Sequence, residues 1–379
     1  MRVVFIHRTI NDYTVETPHI RGIGGTESAN AYICAELAKL GHSILLLTNT
    51  STPGRYRDVE CLNKAALTTE LLNSADAVVV SNEACGRELK DVFSATRPLI
   101  MWAHHADDQP SIEALEFTRE RKAWAAFAFV SEWQLGEYCQ TFWVPRERSR
   151  VMRNAVSPAF ASIAPATPWY RSGEPPVLVY TSAPFRGLDV LLDAFPSIRA
   201  AHPGTRLRVF SGMATLQVAL EKDPYAELYR RCREMDGAEY IGPIAQPLLA
   251  QELANAAALA YPSTYPETSC IAALEAMSAG ATVLTTRSGA MAETTAGFGS
   301  MIEPYEDAAV LSRAFAQMTI KALAEMRSNP DKAEDQRNRQ IAYVRENYSW
   351  SKRALEWQSF LTEIVRTLPN AQFFGGSFT

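Results

Sequence analysis

The chain has 379 residues, a formal net charge of −5, 47% hydrophobic residues and 21% charged residues. Its length exceeds one ordinary core and points to two domains, and its composition is that of a globular protein. The acidic balance argues against nucleic acid as the main partner.

In chain order, RVVFIH (2–7) reads as a buried strand, and MRVVFIHRT lacks the 7–15-residue apolar core of a signal peptide. SANAYICAELAKL (28–40) has helical spacing, stopped by Gly41. Strands follow at SILLLT (43–48), AVVVS (77–81), PLIMWAH (98–104), AAFAFVS (125–131) and RVMRNAV (150–156). The proline-rich stretch 157–176 has no clear period and is the linker candidate. A second set then alternates: VLVYTS, a helix at 187–201, RLRVFSG, a helix near 223–235, AEYIG, a helix at 247–255, AALAYPS, a helix at 269–279 and ATVLTT. Helices at 305–328, about 332–346 and 350–367 close the chain, and PNAQFFGGSFT reads as a poorly ordered tail. Alternation of this kind predicts two tandem, doubly wound α/β domains, Rossmann-like, with the carboxyl ends of both sheets at a shared cleft. The predicted boundaries are 1–160, a linker at 161–176, and 177–349, with the last helix (about 350–367) crossing back to the first domain. No apolar run approaches 20 residues, so no membrane-spanning helix is expected. Cys34, Cys61, Cys85, Cys139, Cys232 and Cys270 lie far apart with no C-x-x-C pair, which suits free thiols in a reducing compartment.

Three stretches carry chemistry. The loop G-I-G-G-T-E (22–27) precedes a helix, and Gly24 and Gly25 would let a phosphate approach its free N–H groups. It is not a dinucleotide fingerprint, because the third glycine position is Glu27, and the Gly-Lys-Ser/Thr of a P-loop is missing. The second stretch, PETSCIAALEAMSAG (266–280), sets Glu267 before a helix and Glu275 about two turns into it, with Thr268 or Ser269 as N-cap and Gly280 as the stop. Eight residues at about 1.5 Å rise span about 12 Å. That distance roughly matches the separation of a hexose from the ribose of an extended nucleotide diphosphate sugar, with the helix start near the pyrophosphate between them. A solvated mid-helix Glu is the ordinary alternative, but Glu275 lies in C-I-A-A-L-E-A-M and needs a partner there. The third stretch, PLIMWAHH, ends a strand on His104 and His105, of which alternation lets only one enter a cleft. Asp107 and Asp108 read as loop residues.

With these residues in view, the chain resembles retaining glycosyltransferases of family 4, with the GT-B fold, over nearly its whole length. The frame P-S-x-x-E-x-x-G-x-x-x-x-E-A is repeated in YPSTYPETSCIAALEA in its leading P-S, the seven residues between its acids and its closing E-A, with Thr-Ser after the first acid where the family often has Phe-Gly. GG-T-E, the G-H after the first helix, VSEWQ, RNAVSPAF and YSW are further landmarks. The resemblance implies that Glu267 meets the donor sugar and Glu275 the ribose. It further implies that Thr268, Ser269 and Cys270 offer backbone N–H groups, and that Ile244 lies by the nucleobase. Arg186, in SAPFRGLDVLL, takes the position usually held by Lys, where it would clamp the pyrophosphate. Ser182 and Thr181 replace a second basic residue, with Ser182 lining the donor. His104 takes the place of the family's active-site histidine, and Glu293 that of a structural acid.

The implied reaction is retaining transfer of a sugar from a nucleotide diphosphate donor, UDP first and GDP next, to a saccharide or lipid-linked acceptor, without cofactor or metal. The expected location is cytoplasmic, with peripheral contact at the inner membrane face if the acceptor is lipid-linked. A nucleotide-sugar epimerase of the same fold and a non-catalytic nucleotide-sugar-binding subunit are the alternatives. Turnover of free donor without acceptor marks the first, and absence of nucleotide release the second.

Overall fold

Runs such as AVVVS, in which all five side chains are buried, can only be interior strands of a parallel sheet covered on both faces. The computed structural model describes residues 1–367, apart from the side chain of Leu220. The segment read as a disordered tail, PNAQFFGGSFT, lies outside the described residues. The chain divides into two units. Unit 1 comprises Met1–Glu16, Ala29–Arg153 and the chain from Ser351, and unit 2 comprises Thr17–Ser28 and Asn154–Trp350.

Unit 1 contains β1 (Arg2–Ile6), β2 (Ser43–Thr48), β3 (Gly54–Tyr56), β4 (Val59–Asn63), β5 (Ala77–Ser81), β6 (Leu99–Ala103), β7 (Ala126–Phe129) and β8 (Ser149–Val151). Their order is β3-β4-β2-β1-β5-β6-β7-β8. Every pairing is parallel except β3 with β4. Val4 on the central strand stands opposite Leu45 and Val78. The β3–β4 hairpin was not foreseen in sequence. Its turn residues Arg57 and Asp58 both have positive φ, 48° and 63°, a conformation that usually announces itself by Asn-Gly or Asp-Gly.

The Trp350–Thr367 helix returns to this unit, where Trp357 is fully buried. Its ring lies edge-on to Trp102 at 5.1 Å and tilted against Phe5 at 6.1 Å. Arg150 and Glu363 pair at 2.9 Å on the exterior.

Unit 2 contains β9 (Val177–Tyr180), β10 (Arg206–Val209), β11 (Ala238–Tyr240), β12 (Ala258–Tyr261), β13 (Thr282–Thr286) and β14 (Ser300–Ile302). They are ordered β11-β10-β9-β12-β13-β14, all parallel. Chain order reverses between β9 and β12, and ligands of such sheets bind at the carboxyl ends of the strands flanking that switch. The proline-rich stretch read as a linker sits in unit 2, where single contacts hold it. Phe160 is fully buried, Ser278 Oγ donates to its carbonyl at 3.0 Å, and Arg337 donates to Ala166 O at 2.8 Å. Single anchors without a period leave no sequence pattern to read.

Replacing Trp357 with Ala should cost unit 1 about 3–5 kcal/mol. Hydrogen exchange should then accelerate in the amides of β1 and β6 while those of β9 and β12 keep their protection.

Candidate functional site

Two strand ends at the switch build most of the site. After β9 the chain makes a short 3₁₀ turn, Pro184–Arg186, and then Gly187 at φ 109°. A Cβ on Gly187 would stand 2.1 Å from the carbonyl oxygen of Pro262, just past β12. Only glycine permits that approach, and it carries Arg186 to the loop holding Glu267. Arg186 Nη1 donates to Glu267 Oε1 at 2.8 Å, and Glu267 is buried. Tyr261, the last residue of β12, donates its hydroxyl to the same carboxylate oxygen. Ser182 Oγ lies 3.3 Å from that hydroxyl and donates to it. The Tyr265 ring lies 4.4 Å from the guanidinium carbon of Arg186, a cation–π contact.

Burial pulls the Arg186 pKa down, but Glu267, Tyr261 and Tyr265 outweigh it and hold the pKa above the ordinary arginine value. Burial and the neighbouring Glu267 push the Tyr261 phenol well up, so it remains a donor. Arg186 Nε is buried and finds no acceptor among the described residues. A group that keeps its charge and has an unused N–H can take an anion.

Behind Glu267, the Ser288–Ala290 turn braces the loop. Ala290 N donates to Glu267 O at 2.6 Å, and a Cβ on Gly289 (φ 58°) would lie 2.4 Å from that oxygen. Glu293 follows in the first turn of the Met291–Thr295 helix.

The helix expected at 269–279 begins at Ile271, with Cys270 as N-cap, and no side chain caps it. Neither Thr268 nor Ser269 takes the capping position, because the loop remains extended through Cys270 (φ −77°, ψ 93°). Helix N–H groups left without a side-chain cap are available to another acceptor. Glu275 lies on the second turn, 5% exposed, among fully buried Ala273, Leu274, Ala276 and Met277. The partner its position demanded is Gln246, whose Nε2 donates to Glu275 Oε1 at 2.8 Å. Burial pushes the Glu275 carboxyl up to about 8, opposed by that hydrogen bond.

The glycine loop belongs to unit 2. Its helix, Gly25–Lys39, starts three residues earlier than expected, with Glu27 in the first turn, where an acid suits the dipole. A Cβ on Gly25 would touch Ile271 Cδ1 at 3.5 Å, and one on Gly22 would meet Ile244 O at 3.0 Å. The Glu27 carboxylate lies over Gly24, with Oε2 2.4 Å from a Cβ built there. Gly24, Gly25, Ser182, Arg186, Ile244, Glu267, Thr268, Ser269, Cys270 and Glu275 all lie in unit 2, most of them on loops and helix starts and Glu275 within the Ile271–Ala279 helix.

His104 stands in unit 1, after β6. Its backbone N–H donates to Asn82 Oδ1 at 2.6 Å, and its ring packs 4.4 Å from that of Trp102. The His105 ring turns the other way, to Ser111 Oγ at 3.0 Å. Asp107 and Asp108 accept from different partners, Thr141 and Gln109. Among the described residues no group of three or more His, Cys, Asp or Glu side chains could hold a metal ion, and no helix is long and apolar enough to cross a membrane.

Sequence reasoning did not find Tyr261, Tyr265, Gln246 or Gly289. Tyr261 and Tyr265 had a signal, since they flank the Glu267 loop in Y-P-S-T-Y-P-E. Gln246 had none, being 29 residues from its partner.

Residues 175–323 match the family model described as glycosyl transferases group 1. Comparison with curated protein sequences finds no match. Among solved structures, a glycosyltransferase from Rickettsia africae aligns at 13% identity and TM-score 0.71, over 97% of this chain and 99% of that one. Anabaena HepE, solved in complex with UDP-glucose, aligns at 15% identity and TM-score 0.68, over 96% of this chain and all of that one. The catalytic domain of starch synthase IV from Arabidopsis thaliana, bound to ADP and acarbose, aligns at 10% identity and TM-score 0.68, over 96% of this chain and 99% of that one. The chain thus has the GT-B fold of glycosyltransferases, built from two parallel-sheet domains.

A carboxyl raised from 4.5 to about 8 keeps, in the folded state, a proton that the unfolded chain has lost. Stability should therefore fall as pH rises through that window. Glu275→Gln is expected to flatten the fall, matching wild type near pH 4.5 and exceeding it above pH 8 in thermal unfolding.

Proposed function

We propose that this protein is a retaining glycosyltransferase that moves a sugar from a nucleotide diphosphate sugar, UDP first, to a hydroxyl of a saccharide or lipid-linked acceptor. The observation that carries the reading is the buried acid pair flanking an uncapped helix start, with Arg186 on the first acid. The family match over 175–323 supports it, since that span contains Arg186, Ile244, Glu267 and Glu275. HepE with UDP-glucose, and starch synthase IV with ADP and a saccharide, show the same fold holding such ligands.

In this reading the Glu275 carboxylate accepts from the ribose hydroxyls, and the start of the Ile271–Ala279 helix faces the pyrophosphate, joined by the Gly24–Gly25 loop. Glu267 accepts from the sugar hydroxyls. Arg186, with a buried N–H to spare, meets the phosphate nearest the sugar. As the anomeric C–O bond breaks, its electron pair leaves on that phosphate oxygen. Arg186 and the helix N–H groups are aimed at the negative charge that develops there. The acceptor oxygen attacks the same face and passes its proton to the departing phosphate, so the configuration is retained and no protein carboxylate need act as nucleophile. No cofactor or metal is invoked: Arg186 and the backbone N–H groups of the helix start and the glycine loop meet the charge of the diphosphate. His104, carried over by resemblance, contacts the donor sugar. Polysaccharide or glycoconjugate synthesis is the process this chemistry serves, on the cytoplasmic side and at the inner membrane face if the acceptor is lipid-linked.

A panel of nucleotides and nucleotide sugars should contain one nucleoside diphosphate that raises Tm in wild type and much less in Glu275→Ala. With the matching sugar donor and an acceptor, nucleoside diphosphate should be released and NMR of the product should show the donor's anomeric configuration. Arg186→Ala should lower kcat by about 10²–10³-fold, and His104→Ala should lower kcat while leaving the Tm rise intact. Epimerised donor without acceptor, or inverted product, would overturn the reading.

A further inference from the structure

Gln246 opens the Gln246–Ala254 helix, half-buried, and reaches Glu275 across a gap of 29 residues in sequence. The Glu275 carboxylate is buried in an apolar helix and must be aimed if it is to accept from a ligand. Gln246 holds one of its oxygens, Oε1, and leaves Oε2 for another donor. We propose that Gln246 is the positioning residue that aims Glu275 at the ribose, and that it thereby makes the site read ribonucleotides against their deoxy counterparts. This inference rests on the reading of Glu275 as the ribose contact.

The surroundings favour Gln246 over any charged group for this task. The elements packed round the Ile271–Ala279 helix carry Arg337 and Arg345, which bind Gly280 O and Ser278 O at its far end. The Pro330–Asn347 helix that bears both also carries Asp331, Lys332, Glu334, Asp335, Arg339, Tyr343 and Glu346. Glu252, Glu293, Tyr261 and Cys270 are the other titratable groups on or beside the packed elements, and none of them shifts Glu275. The Glu275 carboxyl is shifted by burial and countered by Gln246. An amide fits the position because it serves both forms of the acid. Its N–H donates to the carboxylate, and turned over, its oxygen accepts from the protonated carboxyl. A cation in its place would fix the carboxylate in an ion pair and compete with the ribose hydroxyls for it.

The test is direct binding of UDP and 2′-deoxy-UDP, with ADP and 2′-deoxy-ADP as the second pair, to wild type, Gln246→Met and Glu275→Gln between pH 6 and 9. Wild type should prefer the ribonucleotide, with affinity rising with pH through about 8. Met keeps the length of Gln but has no N–H. Gln246→Met should lose about tenfold in ribonucleotide affinity, should bind the deoxynucleotide as wild type does, and should have its rise displaced to higher pH. Glu275→Gln should lose the pH dependence. Unaltered unfolding of Gln246→Met without nucleotide separates this effect from damage to the fold. If Gln246→Met keeps both the ribose preference and the pH profile, the inference falls and Glu275 stands as the ribose contact without it. If wild type binds neither pair, or shows no preference and no dependence on Glu275, the ribose reading falls and takes the inference with it.

Discussion

The contact of Gly187 with the carbonyl of Pro262 is the constraint on which the site depends. A parallel sheet can present loops at its carboxyl edge, but it does not by itself bring loops from neighbouring strands within reach of one another. Here β9 and β12 are neighbours and their chain order reverses between them. The missing side chain at Gly187 lets the two exits close to backbone contact. Arg186 then has one place to go, onto Glu267, and Tyr261 completes the carboxylate's shell from the end of its own strand. A buried carboxylate is tolerable only with such partners. The partners here are also the groups a phosphate and a sugar would engage, so the same contacts that make the acid affordable to the fold prepare it for a ligand.

The two acids solve burial by different means. Glu267 keeps a cation and a phenol, while Glu275 has an amide and a pKa pushed up to about 8. In the proposed reading the ion pair exchanges partners when the donor arrives, Arg186 turning toward phosphate as sugar hydroxyls reach Glu267. An amide-held acid has nothing to give up except its proton. Ligand binding in that reading is therefore governed by charge exchange at the first acid and by protonation at the second.

Much of the fold was legible in sequence because buried parallel strands are continuous apolar runs. SILLLT and AVVVS match their observed strands residue for residue, as does the last helix, 350–367. The β3–β4 hairpin was not legible, because Arg57 and Asp58 occupy turn positions without the residues that normally signal them. The anchors in 157–176 were hidden for a related reason, since Phe160 and Trp169 pack singly and make no periodic pattern. Within the site, Glu267 and Glu275 could be singled out as acids bordering and within an apolar segment, and Arg186 only through the resemblance of SAPFRGLDVLL to a family stretch. Their partners were not, because Gln246 reaches its acid across tertiary structure and Gly289 acts through backbone contact.

The departure at Ser182 and Thr181 fits this arrangement. A second cation beside Arg186 would face the same Glu267 and would strengthen its hold on that carboxylate. Ser182 instead donates to Tyr261, which donates to Glu267, so the hydroxyl chain supports the acid without adding charge. Thr181 Oγ1 is buried with no partner among the described residues. With one guanidinium in place of two cations, neutralising a diphosphate falls more heavily on backbone N–H groups. That is consistent with a helix start that no side chain caps and a glycine loop placed against its first residue. Charge in such a site is met by dipoles fixed in the fold, which need no rearrangement when the bond breaks.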